Sequence, residues 1–229
     1  MAFERTADDA RDEYVRSMGP ELGGLFHALW QEMAWIHVKW HEYCELFGTR
    51  PSRVDLLNEA APLFFRIVQD SLFQDILIHI TRLTDPPESC GKENLTILRI
   101  PSLLRDEQAR AKVNELIKIA CEKREFCRDW RNRRIAHADY RLALNEETQP
   151  LEGASRQKVK EALEAISNVL NLVQHHCTRG KSRFEPGLDF GGAGDLIRVI
   201  DAGLRVEKER QERLQAGERR PEDFQHRDL

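Results

Sequence analysis

The feature that most constrains this 229-residue chain is the recurrence of large apolar side chains between Leu22 and Phe47. Leu22, Leu25, Phe26, Leu29, Met33, Ile36, Trp40, Tyr43 and Phe47 recur mostly at spacings of three and four, which places them on one face of an α-helix. Pro20 and Glu21 suit its first turn, where a missing N–H is no loss and negative charge complements the helix dipole. Gly48 suits its end. A helix this long with one apolar face needs other helices to bury that face.

The remaining chain supplies them. A second helix is predicted from Ser52, whose hydroxyl can cap it with Asp55 three residues on, and Pro62 must kink or restart it. Phe65, Val68, Leu72, Ile76, Ile80 and Leu83 keep the helical spacing up to Thr84-Asp85-Pro86-Pro87, and this helix is expected antiparallel to the first. Residues 85–101 predict an irregular crossing anchored by Leu95, Ile97, Leu98 and Ile100. A third helix is predicted from Ser102, with Asp106 and Glu107 in its early turns. Its apolar stripe is Leu116, Ile119, Phe126 and Trp130, and Arg133 and His137 continue the same phase. Residues 139–154 read as a loop, after which Ser155 caps a fourth helix with a seam of Val159, Leu163, Ile166, Leu170 and Val173 ending near Arg179-Gly180. A Gly-rich loop is expected from Phe184 to Gly194, with Asp195 capping a short fifth helix through Leu204. The expected fold is all-α: an up-and-down four-helix bundle with a short additional C-terminal helix. The expected organisation is a flexible segment over 1–18, a helical domain over 19–204, and a charged tail over 205–229 in which acids and bases balance.

Hydrophobic residues make up 41%, enough at this length for one substantial core. No apolar run approaches the ~18 residues of a membrane span, and the first residues lack a signal-peptide pattern, so a cytoplasmic protein without a membrane partner is expected. The five cysteines contain no C-x-x-C pair, which indicates neither a disulfide framework nor a zinc ribbon. Gly191-Gly192-Ala193-Gly194 follows no strand pattern and lacks the lysine of a phosphate loop. His37 and His41, four apart on the first helix, have no H-E-x-x-H pattern beside them, so interhelical packing is expected and no metal or cofactor is assigned. His79 is expected to be a satisfied core histidine, and His175 and His176 to complement a helix C-terminus. Trp30, Trp35 and Trp40 cannot all face one side of a helix, which leaves at least one for a subunit interface.

The net charge of −4 argues against a protein that coats nucleic acid through bulk charge. The distribution is uneven, however. Lys123, Arg124, Arg128, Arg131, Arg133, Arg134 and Arg141 outnumber Glu122, Glu125, Asp129 and Asp139 in one short region. Within it, His137 can exchange a proton near neutral pH and the arginines can hold a phosphate with a fixed fork of donors. On residue types alone the stretch also reads as a solvated basic helix end that complements the dipole.

Arg131-Asn132-Arg133-Arg134-Ile135-Ala136-His137 resembles the motif of the HEPN (higher eukaryotes and prokaryotes nucleotide-binding) superfamily: an arginine, a polar residue, several residues, then a histidine. Leu56-Leu57-Asn58 followed by Phe64-Phe65, the Ile80-Thr81-Arg82-Leu83-Thr84-Asp85-Pro86 stop, and Arg134-Ile135-Ala136-His137-Ala138-Asp139 together resemble its AbiU-type abortive-infection branch. The resemblance spans roughly residues 20 to 175 and implies a HEPN-like bundle acting as a metal-independent endoribonuclease, as a toxin or an abortive phage-infection effector. It implies that His137 serves as general base or acid, that Arg131 stabilises the phosphorane, and that Asn132 orients Arg131 or contacts phosphate. It makes Arg128, Arg133 and Arg134 candidate RNA phosphate contacts. Attack by the ribose 2′-hydroxyl would leave a 2′,3′-cyclic phosphate. The implied partners are RNA, with tRNA among the candidates, a second copy of the chain packed near the third and fourth helices, and an antitoxin or regulatory protein. The alternatives are a non-catalytic HEPN-type module that binds RNA, a nucleotide or a protein, and a helical dimer whose basic segment meets an acidic partner.

Two geometric expectations accompany the resemblance. Six residues of ideal helix turn Arg131 away from His137 by about 120°, so the helix must loosen at Ile135 or the arginine must reach around. Arg133, four residues before His137, is better aligned. A HEPN branch regulated by nucleotidyl transfer carries a tyrosine two residues after the histidine. Here Asp139 holds that position and Tyr140 follows, so regulation by that route is not expected.

Overall fold

Proline and glycine set the first boundaries in the computed structural model, which describes residues 7–144, 149–182, 184 and 191–224. Helix α2 (Pro20–Phe47) opens on its proline, and the Gly48 N–H bonds to the Cys44 carbonyl past its end. Before it, the segment expected to be loose is helical from Ala7: α1 (Ala7–Met18) buries Tyr14, which meets Phe26 edge-on at 4.8 Å. The two helices touch at Gly23, where a Cβ would lie 2.5 Å from the Tyr14 carbonyl oxygen, so only glycine permits this approach.

Helix α3 (Pro51–Ala60) starts one residue earlier than expected. Pro51 takes the first helical position and Arg50 the N-cap without a side-chain bond, so Ser52 is not the cap. Pro62 restarts the chain as α4 (Pro62–Leu83). The crossing that follows contains a two-residue hairpin, β1 (Glu88–Ser89) with β2 (Lys92–Glu93), turned by Cys90 and Gly91, both at positive φ. Ile97 and Ile100 are fully buried and anchor the crossing, the latter opening the short α5 (Ile100–Leu103), whereas Leu95 is exposed.

The third long helix begins later than expected, because the Asp106 carboxylate accepts from the Gln108 and Ala109 N–H groups and thereby caps α6 (Glu107–Lys123). Its buried face is Ala109, Val113, Ile117 and Ala120, with Leu116 at its edge and Ile119 45% exposed. The expected stripe omitted Val113 and Ile117 as well as the two alanines and so ran out of phase. Arg124 interrupts the helix, and α7 (Glu125–Trp130) buries Phe126 and Cys127. A short α8 (Tyr140–Ala143) is capped by Asp139. Helix α9 (Arg156–Thr178) is capped by Ser155 and buries all five seam residues, Val159, Leu163, Ile166, Leu170 and Val173.

The C-terminal helix is not short. α10 (Ala193–Gln215) runs through much of the region expected to be a tail, supported by ion pairs one turn apart, Arg198 with Asp195, Arg205 with Asp201 and Arg210 with Glu207. Gly192 is its N-cap, while Asp195 lies in the first turn and accepts from the Gly191 N–H. The loop expected over 184–194 falls outside the described residues from 185 to 190, as does the end of the tail from 225.

The chain divides into two units. One comprises Met1–His41 with Ser71–Pro186, and the other Glu42–Asp70 with Gly187–Leu229. In the first, α6 lies along α9 and α1 also packs on α9. Its fully buried side chains include Phe26, Met33, Ile36, Ile76, Ile80, Phe126 and Ile166. His79 is buried there with its Nε2 2.6 Å from Glu32 Oε2, the satisfied core histidine expected. In the second, α10 packs on α3, the Ala193 N–H donates to Glu42, and Arg53 pairs with Glu45. The fold is all-α apart from the hairpin among the described residues. No helix among them is long and apolar enough to cross a membrane.

Candidate functional site

The basic stretch occupies the place where regular helix gives out. After Trp130 the backbone widens into a π-helical turn, Arg131–Ile135, closed by the Ala136 N–H bonding to the Arg131 carbonyl at 2.8 Å. The Asp139 N–H then reaches the Arg133 carbonyl at 3.0 Å, and the chain leaves the helix. The loosening therefore begins at Arg131, four residues before Ile135. A π turn inside a helix frequently marks a functional site.

Each side chain of the stretch has a distinct environment. Arg131 is partly buried, and its Nη1 donates to both oxygens of Asp85 at 2.9 and 2.7 Å. Its Nε donates to Asn132 Oδ1 at 3.2 Å, so the residue after the arginine steadies the guanidinium. His137 is exposed and bonds to no described residue, which leaves both ring nitrogens open to solvent or substrate. Arg134 is exposed and lies over the Trp130 ring at 5.3 Å. Arg128 is exposed and, with Asn132, Glu125, Asp129 and the segment Gln149–Glu152, lines a cavity of about 670 Å³. Neither Arg131 nor His137 lines that cavity.

Arg133 holds the backbone together around this turn. It donates to the Gln149 carbonyl at 2.6 Å and to Asp129 Oδ1 at 3.4 Å, and its Nε lies 3.8 Å from Asp139. Asp129 accepts in turn from the Glu152 N–H, and the Trp130 indole donates to the Glu152 carbonyl. Trp130 also meets Phe73 edge-on at 6.1 Å. The side chains of Asp129, Trp130 and Arg133 thus fasten the segment that returns to α9.

Two further groups bear on the site. Arg124, at the break before α7, is buried and donates through Nη2 to the Thr84 carbonyl at 3.5 Å, adjacent to Asp85. Among the described residues its Nε and Nη1 have no hydrogen-bond partner, and Nη1 lies 3.7 Å from Glu125. Burial, the largest influence, pushes the neighbouring Cys127 thiol well above its ordinary value, with the charge of Arg124 opposing, so this cysteine stays protonated and inert. Asp85 is the residue that the motif did not reveal. Its sequence signal was an acid beside the diproline stop of α4, a place read as a helix end and as part of the family resemblance, with no role given to the acid itself.

No cluster of metal-ligating side chains exists among the described residues. His37 instead lies 3.3 Å from Ser167 Oγ and stacks on Phe184. At the end of α9, His176 lies 4.0 Å from Asp106. Trp30 donates to Ser182, while Trp35 is exposed.

The model of the HEPN family AbiU2 matches residues 19–194, from the start of α2 to the start of α10. The chain belongs to this family. Membership places it in the abortive-infection AbiU branch of the HEPN superfamily, whose substrates are in general RNA. Comparisons with curated proteins and with solved structures gave no match.

Proposed function

We propose that this AbiU2-family protein is a metal-independent endoribonuclease that acts as a toxin or abortive phage-infection effector. The observation that carries the reading is the π turn of Arg131–Ile135, which opens on an anchored arginine and is followed, two residues beyond its end, by an exposed histidine that bonds to no described residue. His137 takes the proton of the ribose 2′-hydroxyl, whose oxygen attacks phosphorus in line. Arg131 stabilises the charge that grows on the phosphorane, where a preorganised donor is most useful. The bond to the 5′-oxygen breaks, a proton is returned to that oxygen, and the products are a 2′,3′-cyclic phosphate and a 5′-hydroxyl. One histidine cannot hold a proton and receive one simultaneously, and a homodimer would bring a second His137 to the reacting phosphate. Asn132 orients Arg131. Arg128 and Arg134 are exposed enough to contact RNA phosphates, whereas Arg133, with its donors committed to the backbone and to carboxylates, contributes mainly by keeping the turn intact.

A second reading, a non-catalytic module that binds RNA, a nucleotide or a protein, is favoured by the pairing of Arg131 with Asp85, which offsets the charge offered to a phosphate. Incubation of wild type and His137→Ala with total RNA and tRNA in EDTA separates the two. The enzymatic reading predicts cleavage by wild type alone. RNA binding without turnover, or turnover that survives His137→Ala, would contradict it. An antitoxin or regulatory partner would be detected as a protein that suppresses the cleavage.

A further inference from the structure

Asp85 occupies an electrostatically unfavourable position. It lies two residues beyond Leu83, the last residue of α4, where the helix dipole and the final carbonyls disfavour a negative charge. The backbone there is nevertheless held firmly. Thr84 Oγ1 donates to the carbonyls of Ile80 and Thr81, Thr96 Oγ1 donates to that of Leu83, and Arg124 donates to that of Thr84. Pro86 and Pro87 then restrict the chain immediately beyond. A carboxylate on so fixed a support points in one direction, and what it meets is Arg131. Among the described residues its oxygens bond to nothing else.

The contact uses the guanidinium selectively. Both Asp85 oxygens take Nη1, and Asn132 takes Nε, while Nη2 has no partner among the described residues. The group is therefore held on two sides with one donor edge left over. A partly exposed pair of this kind contributes little to folding. Fixing an arginine is valuable where charge develops during a reaction, because a preorganised donor need not reorganise when the charge appears.

We propose that Asp85 is the positioning residue of Arg131, turning the Nη2 edge toward the scissile phosphate and weakening ground-state RNA binding in exchange for stabilisation of the phosphorane. This rests on the endoribonuclease reading above. The Asp85 charge opposes the single negative charge of a phosphodiester, whereas the held guanidinium meets the greater charge of the transition state. Interactions stronger in the transition state than in the ground state raise kcat.

Three variants test it. In Asp85→Ala, Arg131 loses its holder and the nearby negative charge together, so KM for RNA falls while kcat drops by about 10- to 100-fold, the scale of a small misplacement of a catalytic group. Asp85→Asn removes the charge and keeps one of the two acceptors for Nη1, the other becoming an amide donor. It should recover part of kcat and retain the lower KM. In an Arg131→Ala background, adding Asp85→Ala should change neither constant further. Circular dichroism and melting curves establish that each variant is folded, and Asp85→Asn, the nearly isosteric change, keeps the test decisive where Asp85→Ala loses helicity. Binding is read separately by fluorescence anisotropy with an RNA oligonucleotide carrying 2′-deoxyriboses, which cannot be cleaved by 2′-hydroxyl attack. Asp85→Asn should bind it more tightly, and the gain should vanish without Arg131. An unchanged kcat in folded Asp85→Ala, or an Asp85 effect that persists in Arg131→Ala, overturns the inference while leaving RNA cleavage intact. A wild type that does not cleave RNA overturns the enzymatic reading instead, and the anisotropy coupling then decides whether Asp85 governs the phosphate contact of Arg131.

Discussion

Helix α9 and the stretch from α7 through the π turn are both helical and belong to the same unit, yet different forces hold them. α9 is a regular helix fixed by burial: its seam from Val159 to Val173 is inaccessible and Ser155 closes its start. The other stretch buries Phe126 and Cys127 and then none of its next side chains fully, from Arg131 to Ile135. There the side chains are held by carboxylates and carbonyls: Arg131 by Asp85, Arg133 by Asp129 and Gln149, and Trp130 by Glu152. Burial fixes where a helix lies. Polar anchoring fixes where individual donors point, which is what a site for a charged substrate requires.

Substitutions should separate the two regimes. Ile166→Ala empties part of the α9 seam and should lower stability by about 2–5 kcal/mol in a denaturant melt, with cleavage per folded molecule unchanged. A loss of turnover at full folding would show that α9 and the site are not independent. Arg131→Ala should do the reverse, lowering kcat by about 10²–10³-fold, the scale of one removed oxyanion donor, while the melt moves little. Ser155→Ala should cost about 1 kcal/mol, because the Lys158 N–H loses its acceptor, and leave RNA binding unaffected. The smallest effect concerns pH. Burial, opposed by Glu32, holds the His79 imidazole below its ordinary value of 6.5. The unfolded chain therefore takes up this proton first as pH falls. The contribution is complete above about 6.5 and declines from there toward the lower folded value. An NMR titration placing His79 above 6.5 would contradict this.

The same contrast explains what the sequence made legible. The α9 seam, the Ser155 cap, the Pro62 restart and the Gly48 stop could be read because apolar periodicity and backbone-restricting residues act locally. That reading failed on α6, where apolar residues occupy both sides of the helix and the buried face is the one Ala109, Val113, Ile117 and Ala120 share, not that of Ile119. Capping competition defeated it at α3, where Pro51 displaced Ser52. At the site, the motif was visible and its need for a loosened helix could be deduced from the spacing of Arg131 and His137. The Asp85 contact was not visible, because the two residues are 46 positions apart and their meeting is set by tertiary packing. The commitment of Arg133 to Gln149 and Asp129 was hidden for the same reason.

The most direct test is the chemistry of the ends. Wild-type protein and His137→Ala are incubated with RNA in EDTA and the products assigned by end-group analysis. Fragments ending in a 2′,3′-cyclic phosphate and beginning with a 5′-hydroxyl, formed by wild type and absent with the folded variant, are the predicted result. A 3′-hydroxyl with a 5′-phosphate, or cleavage that disappears in EDTA, would contradict a histidine acting on the 2′-hydroxyl without a metal.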